Sequence, residues 1–233
     1  EQIVREAVQP QIIHDKFSLR IKTAIGADMF YEPKNGHGFR HNPLNAIVIP
    51  RPIGWISTQS PTGVPNLAPY SFFNLVAYEP PQVMFSATGA HSFGGLKDAV
   101  ADAVQTGEFA VNIATWSLRK EMNLSAIPAP HNIDEFEHAG LDKVPCMLLK
   151  CPRVAASPIH LECKYTQSLS LLSDAPETPN TVVFGEVVGI NIDESVMTDG
   201  LIDIEKLAPL GRLGYLDFVK VNNRFSMERP IWK

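Results

Sequence analysis

Cysteine is scarce in this 233-residue chain, and Cys146, Cys151 and Cys163 form an odd, sparse set. That excludes a disulfide framework and points to reduced thiols in a cytoplasmic compartment. Basic runs are missing as well. The formal net charge of −5, with no cluster of Lys or Arg, argues against a nucleic-acid surface. No apolar stretch approaches the roughly 18 residues that cross a bilayer as a helix. The opening Glu1–Glu6 is too charged for a secretory signal, so neither membrane insertion nor export is expected. Three familiar motifs are absent too. Without Gly-x-Gly-x-x-Gly, a Walker loop or a Gly-x-Ser-x-Gly elbow, the sequence supports no Rossmann site, P-loop or hydrolase nucleophile.

What is present suits one domain. With 45% apolar and 19% charged residues, the chain can bury a sizeable core. We expect a lead-in segment over residues 1–40 and a single domain over 41–233. Ala46–Pro50, Ile53–Thr58 and Gln82–Thr88 read as strands. Leu96, Ala99, Val100, Ala103 and Val104 recur at helical spacing and predict an amphipathic helix ending near Gly107. Phe109–Ile113 returns to strand, and 117–139 reads as two short helices split by Pro128 and Pro130. Ile159, Leu161, Cys163 and Tyr165 alternate with His160, Glu162 and Lys164, a half-buried strand with a partner at Val182–Ile192. Strands predominate and helices are insertions. The expected fold is therefore mainly β, an antiparallel, Greek-key-like barrel and not a βαβ repeat.

Two neighbouring segments carry the chemistry. Arg51-Pro-Ile-Gly-Trp-Ile-Ser-Thr58 is joined through Ser60–Gly63 to Asn66-Leu-Ala-Pro-Tyr-Ser-Phe-Phe-Asn74. Small hydroxyl and amide side chains among aromatics suit a flat, polar-edged ring bearing a phosphate. Ser57 and Thr58 are either phosphate donors or ordinary strand-end hydroxyls. Trp55 is either a ligand platform or a core aromatic. Around Pro69 the pattern is too irregular for a simple half-buried strand, which fits a backbone bent around a ligand or a kinked edge.

The pair resembles the signature of the flavin reductase-like, FMN-binding split-barrel flavoproteins. Further pieces follow in register: Pro43–Asn74, Pro80–Ser86, Lys97-Asp98, Thr106–Asn112, Asp134–Gly140 and Leu210–Gly214. The resemblance implies a split barrel, a homodimer with the flavin near the subunit interface, and FMN as cofactor. Carried over, it implies that Trp55, Ile56, Ser57 and Thr58 approach the phosphate and ribityl end. Asn66, Ala68, Ser71 and Phe72 would follow the isoalloxazine edge, with backbone N–H groups around Asn66–Ala68 steadying the reduced ring. Ser86 and Lys97 would hold phosphate, and Arg212 would come near the site. Lys97 otherwise reads as a solvated helix residue, and Arg51 and Arg212 as members of structural ion pairs.

This chain departs from the family around Lys97. Leu96 replaces a basic residue, Ala99 a Thr, and Asp102 an Asn, with Ala90-His91-Ser92 just upstream as a possible compensation. His131, Asp134 and His138 have metal-like types, but no metal centre is expected. No side chain is expected to make or break bonds itself. The implied activity is an NAD(P)H-dependent flavin reductase or related FMN oxidoreductase, with NADH or NADPH as donor and an electron-accepting partner protein. The alternative is an FMN-binding electron carrier with little turnover of its own.

Overall fold

The computed structural model describes residues 29–232 and the backbone of Ile21–Lys22. Two units separate by their internal contacts, one of residues 1–49 with 214–216, the other of 50–213 with 217–233. The described part of the first pairs β1 (Ile21–Lys22) antiparallel with β2 (Met29–Phe30) and adds a single helical turn, α1 (Leu44–Ile47). Ala46–Pro50 is thus not the strand its composition predicts. Asn42 Oδ1 accepts the Leu44 N–H at 3.0 Å, and Pro43 stands at the N-cap with φ −74°. A side-chain acceptor and a pre-set φ start a helical turn here and override the β preference of Ile47 and Val48. Gly214 packs on this turn, and a Cβ there would lie 2.3 Å from Ala46 Cβ.

The second unit opens with β3 (Arg51–Pro52), β4 (Gly54–Gln59), β5 (Pro65–Tyr70), β6 (Phe73–Tyr78) and β7 (Pro81–Thr88). Helix α2 (Asp98–Thr106), β8 (Glu108–Ile113), α3 (Arg119–Leu124), α4 (Glu135–His138), β9 (Lys143–Pro145) and β10 (Pro152–Val154) come next. The long hairpin β11 (Ile159–Leu171) and β12 (Asn180–Ile192) precedes β13 (Met197–Thr198), β14 (Leu201–Ile202), α5 (Ile204–Leu207), β15 (Leu210–Arg212) and β16 (Phe218–Lys220). Seven strands form one antiparallel sheet in the order β5-β4-β8-β11-β12-β7-β6. The β11–β12 hairpin is inserted between strands that arrive earlier in the chain, a Greek-key-like connection.

Alternation builds the core. Val83, Phe85 and Ala87 of β7 meet Ile56, Phe109, Val111, Cys163 and Val183, and α2 lays Ala99, Val100 and Ala103 on the same cluster. Gly185 makes room for this packing, because a Cβ on it would sit 2.5 Å from the Phe109 ring. Trp55 and Ile53 point the other way, into a second cluster with Leu67, Met122, Phe136 and Val154. Strand β4 is therefore buried on both faces. Helix α2 ends at Gly107, whose φ of 74° lets its N–H reach Ala103 O. The helix begins at Asp98, later than the Leu96 expected from spacing, because Gly94 and Gly95 hold positive φ just upstream.

Candidate functional site

Edge strand β5, the N-terminus of α2 and the loop before α4 border a groove open to solvent. Asn66, Ala68, Pro69, Tyr70, Lys97 and Glu135 line it, with Ser125–Pro128 opposite. Asn66 and Asp98 also line an adjoining recess beside Ser60–Thr62, Gly94–Leu96 and His131. Lys97 caps α2, where the helix dipole favours an anion. Asp98 engages two histidines, whereas Lys97 makes no ion pair among the described residues.

Under this groove lies a chain of buried hydrogen bonds. Thr58 Oγ1 donates to Asp102 Oδ2 at 2.8 Å and accepts from Asn66 Nδ2 at 3.1 Å. Asn112 Nδ2 donates to Trp55 O at 2.9 Å and Ser57 Oγ at 3.1 Å, while its Oδ1 accepts Val154 N–H. The Trp55 indole N–H donates to Ser125 Oγ at 2.9 Å. Trp55, Ile56, Ser57 and Thr58 have no exposed surface. Their side chains are committed to the core and to one another. The Leu67 N–H is committed as well, to Glu135 Oε2 at 3.1 Å, so it is not free to steady a ligand as the sequence reading expected.

The remaining positions divide between two places. Asn66, Ala68 and Lys97 line the groove. Ser71, Phe72 and Arg212 gather around Arg51, whose Nε donates to Ser71 Oγ at 3.4 Å and Nη2 to Leu213 O at 3.1 Å. The Arg51 guanidinium also lies 5.6 Å from the Phe72 ring centre. Arg212 stands opposite Arg51 in the β15–β3 register. Burial and then the like charge of Arg212 lower the Arg51 pKa. Ser86 belongs to this side, since its N–H donates to Phe72 O at 2.7 Å. Residues 66–72 run from the groove to this arginine corner.

Sequence reasoning missed Tyr70, Ser125 and Glu135 as groove residues. Glu135 lay inside the Asp134–Gly140 segment, where its place beside a polar pair of carboxylates gave no sign that it turns inward. Burial pushes its carboxyl up to about 7, against the opposing Leu67 bond. Burial likewise raises the Tyr70 hydroxyl, with Asp98, Glu135 and Asp102 adding to it, so that phenol stays protonated. His131, Asp134 and His138 do not form a unit. Asp134 caps α4 and pairs with Lys143, while His131 turns to Asp98.

Asp102 carries a pH dependence. Its carboxyl is pushed from 3.8 up to about 6 by burial, which outweighs the Thr58 bond, and Asp98 adds to the rise. An acid with a raised folded-state pKa holds its proton more tightly when folded, so stability is lost as pH climbs from the unfolded to the folded value. Asp102→Asn removes this loss and keeps an acceptor for Thr58. The variant is expected to match the parent near pH 4 and to exceed it by roughly 1–3 kcal/mol at pH 8. Urea denaturation at the two pH values measures this, and an equal gap at both would show that Asp102 titrates normally.

Comparison with known proteins adds an independent line. Residues 46–208 match the family model described as "Flavin reductase like domain". An uncharacterized protein of Halalkalibacterium halodurans is 36% identical over 187 residues, covering 80% of this chain and 89% of that protein. Nitrilotriacetate monooxygenase component B from Bacillus cereus superposes with a TM-score of 0.78 at 28% identity, covering 87% of this chain and all of the other. A Shewanella frigidimarina protein with a split barrel domain gives 0.69 at 20% identity over 80% of this chain and 90% of its own. Its likeness concerns the fold, which is a split barrel of mainly antiparallel β structure with inserted helices.

Proposed function

The chain belongs to the flavin reductase-like domain family, and from that premise we propose that it is an FMN-dependent oxidoreductase, taking a hydride from NADH or NADPH and passing electrons to an acceptor. The observation that carries this reading is the course of residues 66–72, from a groove holding Lys97 to a corner holding Arg51 and Arg212. The donor set fits a flavin mononucleotide. Lys97 and the α2 N-terminus suit the phosphate, and the Asn66–Phe72 edge, with the Tyr70 phenol, suits a polar-rimmed ring. FMN, when bound, supplies hydride acceptance and one- or two-electron transfer. The chain's own residues bind and orient it: Lys97 neutralises phosphate charge, Tyr70 keeps a proton at its hydroxyl, and Ala126, Ile127 and Pro128 exclude water along the groove wall. Trp55, Ile56, Ser57 and Thr58 support that surface from beneath.

The homodimer belongs to the same proposal. Strand β6 is a sheet edge with Leu75, Val76 and Tyr78 exposed, and an apolar open edge calls for a cover. A cytoplasmic setting agrees with the buried free thiols and with a described chain in which no helix is long and apolar enough to cross a membrane. Sedimentation followed at the flavin colour is expected to show one FMN per chain moving at a dimer's mass, with FMN bound in preference to FAD. A tenfold preference for FAD, or a monomer's mass at micromolar concentration, would contradict the reading.

A further inference from the structure

At the rim of the groove, His91, Asp98 and His131 converge, each offering one ligand atom, and these atoms lie within 4.8 Å of one another. We infer that this cluster is a binding site for a first-row divalent transition-metal ion such as Zn²⁺. His91 Nε2 stands 3.5 Å from Asp98 Oδ2, close to the spacing of two ligands on one tetrahedral ion with bonds of about 2.0–2.1 Å. His131 Nδ1 meets the other oxygen, Oδ1, at 2.6 Å. The two imidazole rings lie 4.2 Å apart between centres, tilted by 31°. Two imidazoles and one carboxylate are a donor set for zinc, iron, cobalt or nickel, and a poor one for magnesium or calcium.

Their surroundings favour an ion as well. The His91 side chain is only 8% exposed and that of Asp98 18%, so the ligands are held by packing and not by solvent. Without a metal, His131 Nδ1 donates to one carboxylate oxygen, and His91 Nε2 faces the other at 3.5 Å. Phe93 N–H donates to His91 Nδ1 at 3.1 Å, which places the neutral ring's proton on Nε2, towards Asp98. A divalent ion replaces these protons. The His91 proton moves to Nδ1, and the Phe93 contact is given up in a turn where Gly94 and Gly95 already hold φ of 94° and 77°. Three protein ligands leave open positions on the ion. His91 and Asp98 line the groove, and His131 and Asp98 the adjoining recess, so those positions face space where a water or an oxygen-donor ligand fits.

The inference is independent of the flavin reading, and its test uses flavin-free, chelator-treated full-length protein. Co²⁺ is titrated in while its visible absorption is followed, and Zn²⁺ is then added in competition. One Co²⁺ per chain at micromolar affinity, displaced by Zn²⁺, is expected. His131→Ala and Asp98→Asn should each weaken binding at least tenfold, while His138→Ala, outside the cluster, leaves it unchanged. His131 is half exposed, so its variant folds, which an unaltered thermal transition checks. Absence of saturable Co²⁺ absorption, or affinity unchanged in His131→Ala, would overturn the site.

Discussion

Trp55→Ala is expected to cost about 3–5 kcal/mol of folding stability while leaving the flavin affinity of the folded protein within a few-fold of the parent. The ring is fully buried in the cluster of Leu67, Met122, Phe136 and Val154. Removing it opens a cavity between β4 and the helices α3 and α4, because the surrounding structure relaxes only in part. It also takes the indole donor from Ser125 Oγ, which in turn donates to Met122 O at 2.9 Å. Both losses fall on packing. Urea denaturation gives the stability, and FMN titration under native conditions gives the affinity. Retained stability with lost FMN binding would make Trp55 a ligand platform, the other role its sequence allowed.

The second large effect concerns Lys97. Lys97→Ala is expected to weaken FMN binding about 10- to 150-fold, the loss of a charge-assisted contact of roughly 1.5–3 kcal/mol. Riboflavin, which has no phosphate, should bind parent and variant almost equally. The contrast between the two ligands separates a phosphate contact from a folding defect, since a defect weakens both. The structure sharpens the expectation, because Asp98, next in sequence, is engaged by His91 and His131 and so does not pair with Lys97. Leu96 and Ala99 supply neither a charge nor a hydroxyl beside it. Equal FMN affinity in parent and variant would return Lys97 to the role of a solvated cap residue.

The parts of this fold that sequence revealed are those with a strict period. The alternation at Ile159–Tyr165 and the helical spacing of Ala99, Val100 and Ala103 are direct consequences of one buried face. Ala46–Pro50 misled because a β-branched run looks the same whether it pairs or merely follows a capped turn, and Asn42–Pro43 decides between them. The site was legible as segments and not as directions. Ser57, Thr58 and Asn66 have the hydroxyls and amide that a ligand site needs, yet below the surface Ser57 accepts from Asn112, Thr58 donates to Asp102, and the Asn66 amide donates to Thr58. Polar side chains on a strand buried on both faces must find internal partners, and nothing in the local sequence tells how many faces are covered. Asp102 is the instructive case. In the sequence it stood only as an acid in place of the family's Asn near Lys97, whereas the structure turns it inward to Thr58. The clustering of His91 with His131 depends on two loops that meet only in the fold, beyond the reach of spacing.

The central claim is electron transfer through bound FMN, and anaerobic mixing of the FMN-loaded protein with NADH or NADPH tests it most directly. The expected result is rapid loss of the yellow colour with one of the two nucleotides, one equivalent of nucleotide oxidised per flavin, and return of the colour when an acceptor is admitted. A yellow protein that keeps its colour with both nucleotides would contradict the oxidoreductase and leave an electron carrier in its place.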